Sequence, residues 1–547
     1  MRITTKIIQN NSLNNINTNK LLQDKLSQQM STEKKVNRPS DDPIVAIRAL
    51  RLRTNVNQVT QYYEKNVPDA ESWLEVTESA LSSMSEVVTD MIAQCTKGSN
   101  EDLTTSDRET ILTALKALRD EVYSTGNADY AGRYIFTGYR TDTPLTFTDA
   151  TKQEYTITEQ IDNTKIDKVT YVNSGELLGL NESNALAQDE VYKDIDEQDV
   201  SQSDIYRIRL SYKDVESFAN GAGIEIWDQA KNDGKGAYVD IKNVTNGLLK
   251  DREARAVYKT ASIYDTPNPY EMMTDGKADD GNDDKGESDA NSIVLVKETG
   301  ELLIGKNVYD KLMSLTDDPE TTTNEGEIRL SYEKSKWENN DLRPEHYFAC
   351  ESEGINYNAS YLEGISDEDK QTIEYDVGLN QRIRVNTTAD EVFTHDISRD
   401  VEDMIKAMED TVAMEKQVNK LKKMLETADT ANGDYDTIQK QLAAAEKAFT
   451  FLNEKTQQMF ENGISKMQKH LDAVNFAVTE NGTRGQKLEL ISNRLMSQKT
   501  NFETLKSENE DIDITDVAIK LSSAELTYSS ALMATGKVLQ NNLMNFI

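Results

Sequence analysis

The chain has little cysteine, little histidine and no long hydrophobic run. Its 547 residues include 2 cysteines and 3 histidines. Two cysteines cannot form a disulfide framework, and the histidines lie too far apart in sequence to indicate a local metal-binding motif. No segment approaches the apolar length that a membrane span needs. The sequence therefore predicts no disulfide scaffold, no membrane insertion, no metal and no cofactor.

Motifs typical of enzymes are also missing. None of His346, His395 and His470 begins a His-Glu-x-x-His zinc motif. The pair Gly536-Lys537 lacks the other residues of a phosphate-binding loop, and no Gly-x-Ser-x-Gly elbow is present. An enzyme carried by the middle of the chain is thus an alternative without a motif to support it, and we expect no catalytic residue.

Positive charge is scarce, with 61 Lys and Arg against 96 Asp and Glu, a net charge of -35. This balance argues against nucleic-acid binding, which needs a basic surface. The acid concentrates in Asp189 to Asp199 and Asp275 to Asp289, which we interpret as a solvated outer surface. Calcium binding by the second stretch is an alternative, although its spacing does not match an EF-hand loop.

Residues 1 to 30 lack the apolar core of a secretory signal. We therefore expect no cleavable signal peptide, and export by another route remains open. Apolar residues at helical spacing mark both ends of the chain, which predicts that the ends pack together and the middle is inserted.

At the C-terminal end, a helix from Leu488 is expected to follow a break at Gly482 and Gly485. After a polar segment, Thr515 or Asp516 is predicted to cap a final helix. The apolar stripe of that helix is Val517, Leu521, Ala524, Tyr528, Ala531, Val538 and Phe546.

Near the N-terminal end, a heptad pattern predicts a long helix that packs against other helices. Pro68 lies inside it and should kink or loosen it. A third helix is expected to begin with a capping box at Ser106 and Glu109 and to end at Gly126. The heptad positions are Val67, Ala70, Leu74, Thr77, Leu81, Met84, Val88, Met91 and Cys95, the last expected to be a small buried thiol.

Between about Tyr155 and Arg384 the pattern alternates as in β-strands. The pentapeptide Ile208 to Tyr212 recurs at Ile328 to Tyr332, which indicates either two related β modules or a chance repeat. We predict an α+β fold: a long antiparallel helical bundle or coiled coil built from both termini, with an inserted β-rich middle region.

The predicted domains follow this pattern. An inner helical coiled-coil domain pairs residues 1–43 with 509–547, and a helical rod domain with a β-hairpin combines 44–150 with 385–508. An outer β-rich domain covers 151–384. We expect the helices to make a core of their own without the outer domain.

Three segments carry a resemblance to a known family. Asn37 to Pro43 lies between two predicted helices, Gly132 to Thr141 follows the third helix, and Asp511 to Val517 precedes the last. In order and position they resemble the hook-associated members of the flagellin superfamily, and the first segment looks like the bend between the two innermost domains of those proteins. The nearest alternative is flagellin itself, because Ile16 to Asn19 resembles flagellin openings. Copy number in the filament would decide between the two.

The resemblance implies a secreted structural subunit of the bacterial flagellum, exported unfolded through the flagellar export apparatus. It implies a ring of identical copies at the junction, whose partners are a neighbouring hook-associated protein, flagellin and an export chaperone. It also implies two assembly surfaces, one at the bend and one on the last helix. These are Asn37, Arg38, Pro39, Asp41, Asp42 and Pro43, and Leu521, Ala524, Tyr528, Leu532, Leu539, Leu543 and Phe546.

Overall fold

The computed structural model describes residues 5–181, 183–186, 195–219, 223–228, 236–241, 256–265, 268–273, 290–315, 327–363, 371–428 and 434–540. The chain forms two compact units. Unit 1 comprises Met1–Glu71, Tyr375–Ile383 and Arg484–Ile547, and unit 2 comprises Ser72–Glu374 and Arg384–Thr483. The acidic stretch Asp275 to Asp289 lies outside the described residues.

Long helices occupy both ends of the chain, and the predicted α+β class is confirmed. The helices are α1 (Thr5–Thr32), α2 (Pro43–Gln61), α3 (Val67–Gly98), α4 (Thr105–Gly126), α5 (Pro269–Met272), α6 (Lys306–Met313), α7 (Ala389–Val392), α8 (His395–Thr427), α9 (Asp434–Glu510) and α10 (Ile514–Gln540). Cys95 is fully buried in α3, as its place on the apolar stripe predicts.

Pro68 loosens the helix just before it, as predicted. Residues Tyr62–Asn66 form a π-helical turn between α2 and α3, and the Val67 N–H donates to the Tyr62 carbonyl, five residues back. Proline has no N–H, so the carbonyl of Glu64 loses its usual donor. The π-helical turn includes this carbonyl.

The predicted start of α4 is wrong by two residues. Thr104 is the N-cap: its hydroxyl accepts from the Asp107 N–H at 3.3 Å, and the Asp107 carboxylate accepts from the Thr104 N–H at 3.1 Å. Thr and Asp form the same reciprocal capping box as the Ser106 and Glu109 pair that the spacing suggested.

Two expectations about the C-terminal helices are also wrong. α9 continues through Gly482 and Gly485, because a glycine costs a helix only about 1 kcal/mol, which buried neighbours offset. Asp513, rather than either following residue, caps α10. Its carboxylate accepts from the N–H groups of Thr515 at 2.9 Å and Asp516 at 3.1 Å.

The strands of unit 2 form two larger sheets and the short hairpin of β1 with β2, whereas nearly all of the hairpin of β15 with β16 belongs to unit 1. One larger sheet has the order β4-β5-β11-β10-β9, and the other β14-β13-β3-β12-β7-β8 with β6 beside β12. The strands are β1 (Asp129–Tyr130), β2 (Arg133–Tyr134), β3 (Thr151–Ile161), β4 (Ile166–Asn173), β5 (Ser201–Arg209), β6 (Ser217–Phe218), β7 (Ile224–Asp228), β8 (Ala237–Asp240), β9 (Val257–Ala261), β10 (Ser292–Val296), β11 (Glu301–Ile304), β12 (Ile328–Trp337), β13 (Ala349–Ser352), β14 (Ile355–Tyr357), β15 (Glu374–Gly378) and β16 (Gln381–Arg384).

The two copies of the repeated pentapeptide lie in different sheets. Ile208 is near the end of β5 and pairs with Leu302, whereas Ile328 begins β12 and pairs with Ile161 and Ile226. The copies occupy opposite ends of their strands, which favours a chance repeat over two related modules.

A hydrophobic cluster in unit 2 joins the segment after β4 to the helices. Leu177 and Leu180 are buried together with Met414 and Val418 of α8 and Ala445 of α9. The helices therefore share part of their core with the inserted region, and the expectation that they fold without it stays a prediction. The domain boundaries drawn from the sequence stay a prediction.

Candidate assembly surface

The two terminal helices pack against each other in unit 1. Leu26 of α1 is buried with Val517 and Ala524 of α10, and Leu521 packs beside them. The Ile512 N–H, just before α10, donates to the carbonyl of Glu33, just after α1, at 3.1 Å. Since the end of α1 thus lies beside the start of α10, the two helices run antiparallel.

The apolar face predicted for assembly is partly covered within the chain itself. Leu521 and Ala524 belong to the cluster with α1, and Tyr528, seven residues beyond Leu521, is half-buried. Leu532 is 46% exposed. The Leu539 side chain and residues Leu543 and Phe546 lie outside the described part of the chain.

A second apolar stripe of α10, which the sequence reasoning missed, faces solvent. Ile519, Leu526 and Met533 are 65%, 70% and 65% exposed and follow one another at seven-residue intervals. Leu526 lies nine residues after Val517, which is a rotation of about 180° from the covered stripe at about 100° per residue. Their heptad spacing was a signal available in the sequence. Other large exposed apolar residues of unit 1 include Leu13, Leu21, Leu22, Ile44, Ile47 and Leu50.

Within the predicted bend, Asp42 and Pro43 start α2. The Asp42 carboxylate accepts from the N–H groups of Ile44 and Val45, each at 3.1 Å. Pro43 occupies the first turn, where its missing N–H costs no hydrogen bond. The local role of these two residues is therefore to fix the beginning of the helix.

The rest of the bend is a turn whose side chains are exposed. The Asp41 N–H donates to the Arg38 carbonyl at 3.0 Å, and the Asp41 carboxylate accepts from the Arg38 N–H at 3.1 Å. The Asn37 side chain accepts from the Thr32 hydroxyl at 2.8 Å. In the described part of the chain, the Arg38 guanidinium makes no ion pair, and Pro39 is exposed. These groups remain available to a partner.

The connector after α1 pairs with the connector before α10. Lys34 and Asp511 form an antiparallel bridge and an ion pair, and the Lys35 N–H donates to the Glu510 carbonyl at 2.7 Å. The hydrogen bond from Lys34 lowers the pKa of Asp511. The two connectors are far apart in sequence. Their contacts hold the end of α1 next to the start of α10.

Arg53 of α2 adds a contact to this pairing of the two connectors, which we call the joint. Its Nε and Nη2 each donate to one carboxylate oxygen of Glu510 at 2.7 Å. Glu510 is 5% exposed, whereas the Arg53 side chain is half-exposed. The hydrogen bond to Glu510 raises the pKa of the Arg53 guanidinium. The sequence offered no signal for this contact, because nothing in the periodicity pairs the two positions.

The segment Gly132 to Thr141 lies in unit 2, and part of it is buried in the hydrophobic core. Ala131 and Gly132 have φ of 53° and 77°, which is the mirror-image turn that joins β1 to β2. Ile135 and Phe136 are buried, and Phe136 packs edge-on against Phe393 at 4.8 Å.

Metal binding and membrane insertion are two functions other than assembly. Among the residues that the structure describes, no group of three or more His, Cys, Asp or Glu side chains could hold a metal ion. Within the same residues, every helix is too short or too polar to cross a membrane.

Residues 3–141 match the bacterial flagellin N-terminal helical region. The chain is 32% identical over 170 residues to flagellar hook-associated protein 3 of Salmonella typhimurium, which covers 30% of this chain and 53% of that protein. It is 28% identical over 122 residues to flagellin of Clostridium tyrobutyricum, which covers 22% of this chain and 32% of that protein.

The chain thus spans about half the length of the first of these relatives. A solved structure of FlgL from Xanthomonas campestris aligns with 82% of this chain and 97% of its own, at 12% identity and a TM-score of 0.25. The flagellin-superfamily resemblance seen in the sequence is confirmed by the matched N-terminal region and the curated relatives. Over part of its length the chain is therefore similar to flagellar hook-associated protein 3, and its N-terminal quarter is similar to the flagellin N-terminal helical region.

Proposed function

We propose that the protein is a structural, non-catalytic subunit of the bacterial flagellum that forms the junction between the hook-associated proteins and the flagellin filament. The observation that carries this proposal is the exposed stripe of Ile519, Leu526 and Met533 on a helix whose opposite face is already covered by α1. A helix that is apolar on two opposite faces is expected to be buried on both. Contiguous exposed apolar residues mark interaction surfaces.

The proposed partners are other copies of the chain in a ring, a neighbouring hook-associated protein, flagellin and an export chaperone. In this proposal the exposed bend, Asn37 to Pro43, and the outer stripe of α10 contact them. Export of the unfolded chain through the flagellar export apparatus is compatible with the free thiols of Cys95 and Cys350, since no disulfide has to form or break on the way.

Deletion of the gene in its own bacterium tests the proposal. The mutant should build complete hooks without filaments and release flagellin into the medium, and the intact gene supplied in trans should restore filaments. Filaments of normal length in the deletion strain would contradict the proposal.

The alternative is that the chain is itself a flagellin, which the weaker similarity to a flagellin favours. Quantitative mass spectrometry of sheared filaments separates the two functions. A junction subunit is scarce in such filaments, whereas a flagellin is nearly all of their mass.

A further inference from the structure

One face of α2 is apolar and exposed to solvent. Ile44, Ile47 and Leu50 are 71%, 54% and 60% exposed and follow one another at three-residue intervals. Val56 and Val59 of the same helix are buried. They lie nine residues after Ile47 and Leu50, which is a rotation of about 180° at about 100° per residue. The helix is therefore apolar on two opposite faces, and we call the exposed set of Ile44, Ile47 and Leu50 the α2 patch.

Basic residues flank the α2 patch. Arg48 lies one turn after Ile44, and Arg51 lies one turn after Ile47. Both side chains are exposed, and neither guanidinium group makes an ion pair or a hydrogen bond with a residue that the structure describes. A partner that covers the α2 patch is therefore expected to bring apolar and acidic side chains.

The end of α9 lies beside the start of α2 and carries such side chains. The Asn509 side chain donates to the Val45 carbonyl at 3.2 Å, which places the two helix ends at the same level. Leu505 is 48% exposed, and Glu508, three residues further on, is also exposed. Within the described residues the Glu508 carboxylate has no ion pair, and Lys35 binds only the main-chain carbonyl of Glu508. We call Leu505 and Glu508 the α9 patch.

A ring of identical copies restricts which surface can cover the α2 patch. Neighbouring copies in a ring are related by rotation, so one surface of each copy contacts a different surface of the next. The α2 patch therefore does not contact itself, where its arginines would repel their equivalents. Because a rotation does not shift a copy along the ring axis, the neighbour presents a surface at the same level. The α9 patch lies at that level.

We propose that the α2 patch of each copy packs against the α9 patch of the next copy in the ring. Leu505 covers part of the apolar surface, and the Glu508 carboxylate forms ion pairs with the arginines that flank it. This inference rests on the proposed function, because it requires copies arranged in a ring. It adds an interface that is separate from the bend and from the outer stripe of α10.

Cross-linking in the deletion strain tests this interface. The strain carries two versions of the gene, one with Leu50→Cys and one with Leu505→Cys, and swimming cells are treated with a short bismaleimide. Because Cys95 and Cys350 are buried, the added cysteines should be the ones that react. A covalent dimer should form in this strain and in neither strain that carries one version alone. Mass spectrometry of the linked peptides should identify positions 50 and 505.

Leu490→Cys is the matched control for Leu505→Cys. Leu490 is 72% exposed on α9 but lies 15 residues earlier, roughly 22 Å away along the helix. Combined with Leu50→Cys, it should give no dimer. Because only swimming cells are treated, a missing dimer between positions 50 and 505 would overturn this interface and leave the proposed function standing. A deletion strain that still builds filaments would contradict the function instead.

Charge reversal is a second, independent test. Arg48→Glu and Arg51→Glu together should abolish swimming, because they place two acids opposite Glu508. Adding Glu508→Arg to the same chain should restore swimming. All three positions are exposed, so the melting temperatures of the purified variants should stay near that of the wild type, which separates lost assembly from lost folding. Normal swimming of the double variant would overturn the proposal, and loss of swimming without rescue would do so as well, because it would indicate a different partner for the α2 patch.

Discussion

Gly98 lies directly against the ring of Phe460: a Cβ atom at Gly98 would be 2.2 Å from Cδ1 of that ring. Phe460 is fully buried, so the ring has little room to move. Gly98→Ala should therefore lower the free energy of unfolding by about 1–3 kcal/mol through overpacking. Urea unfolding followed by the helical circular-dichroism signal measures it.

Gly482 of α9 is the matched control. A Cβ atom there meets nothing within 4 Å. Gly482→Ala should raise the free energy of unfolding by roughly 0.5–1 kcal/mol, because alanine favours the helix. If the two substitutions changed the free energy of unfolding equally, the Phe460 ring would leave room for a Cβ atom at Gly98.

His395 is a buried histidine enclosed by aromatic rings. Its ring centroid lies 4.7 Å from that of Tyr212 and 4.6 Å from that of Tyr347. Burial lowers the pKa of His395 to about 3. Below pH about 6.5 the unfolded chain takes up a proton that the folded chain does not. The free energy of unfolding should therefore fall as the pH falls from about 6.5.

His395→Phe should reduce this acid sensitivity. Between pH 7 and 5 the variant should lose about 2 kcal/mol less unfolding free energy than the wild type, because one protonation difference is removed. Some sensitivity should remain, since burial lowers the pKa of His346 to about 4. Identical pH profiles of variant and wild type, from urea unfolding, would contradict the assignment to His395.

The helical ends and the effect of Pro68 could be predicted from the sequence because both are local. Heptad spacing records which face of α3 is buried, and a proline removes a specific donor wherever it stands. The two faces of α10 could be read in the same way, but only the stripe with Val517 was recognised. The stripe with Leu526 was missed because it is shorter.

Contacts between distant segments could not be predicted. The bridge between Lys34 and Asp511 joins residues 477 positions apart, and no periodic pattern encodes it. Gly482 was misread because helix propensity is a weak preference that packing overrides.

The pair of Arg53 and Glu510 provides a test of the joint between the connectors. Arg53→Met leaves a buried carboxylate with a more distant cation, Lys34 at 3.9 Å, whereas Glu510→Gln removes the carboxylate charge itself. In a double-mutant cycle measured by urea unfolding, the coupling energy should be about 1 kcal/mol, because Arg53 is half-exposed and partly screened. A coupling near zero would show that the bidentate contact does not stabilise the joint.

The outer stripe of α10 allows the assembly proposal to be tested at one residue. Leu526→Asp puts a charge at the centre of the stripe, where 70% of the side chain is exposed in the isolated chain. The free energy of unfolding should change by less than about 0.5 kcal/mol, as for other exposed positions. Filament formation should fail, because an interface that buries this position would have to bury an unpaired carboxylate.

Thr527→Asp adds the same charge to the next residue, which is exposed but turned away from the stripe. A strain carrying only this variant should spread further in a motility assay than one carrying Leu526→Asp. Motility assays, electron microscopy of the filaments and melting curves of the purified variants measure the three effects. If the Leu526→Asp strain swam and built filaments like the wild type, the outer stripe would have no role in assembly, whatever the function of the rest of unit 1.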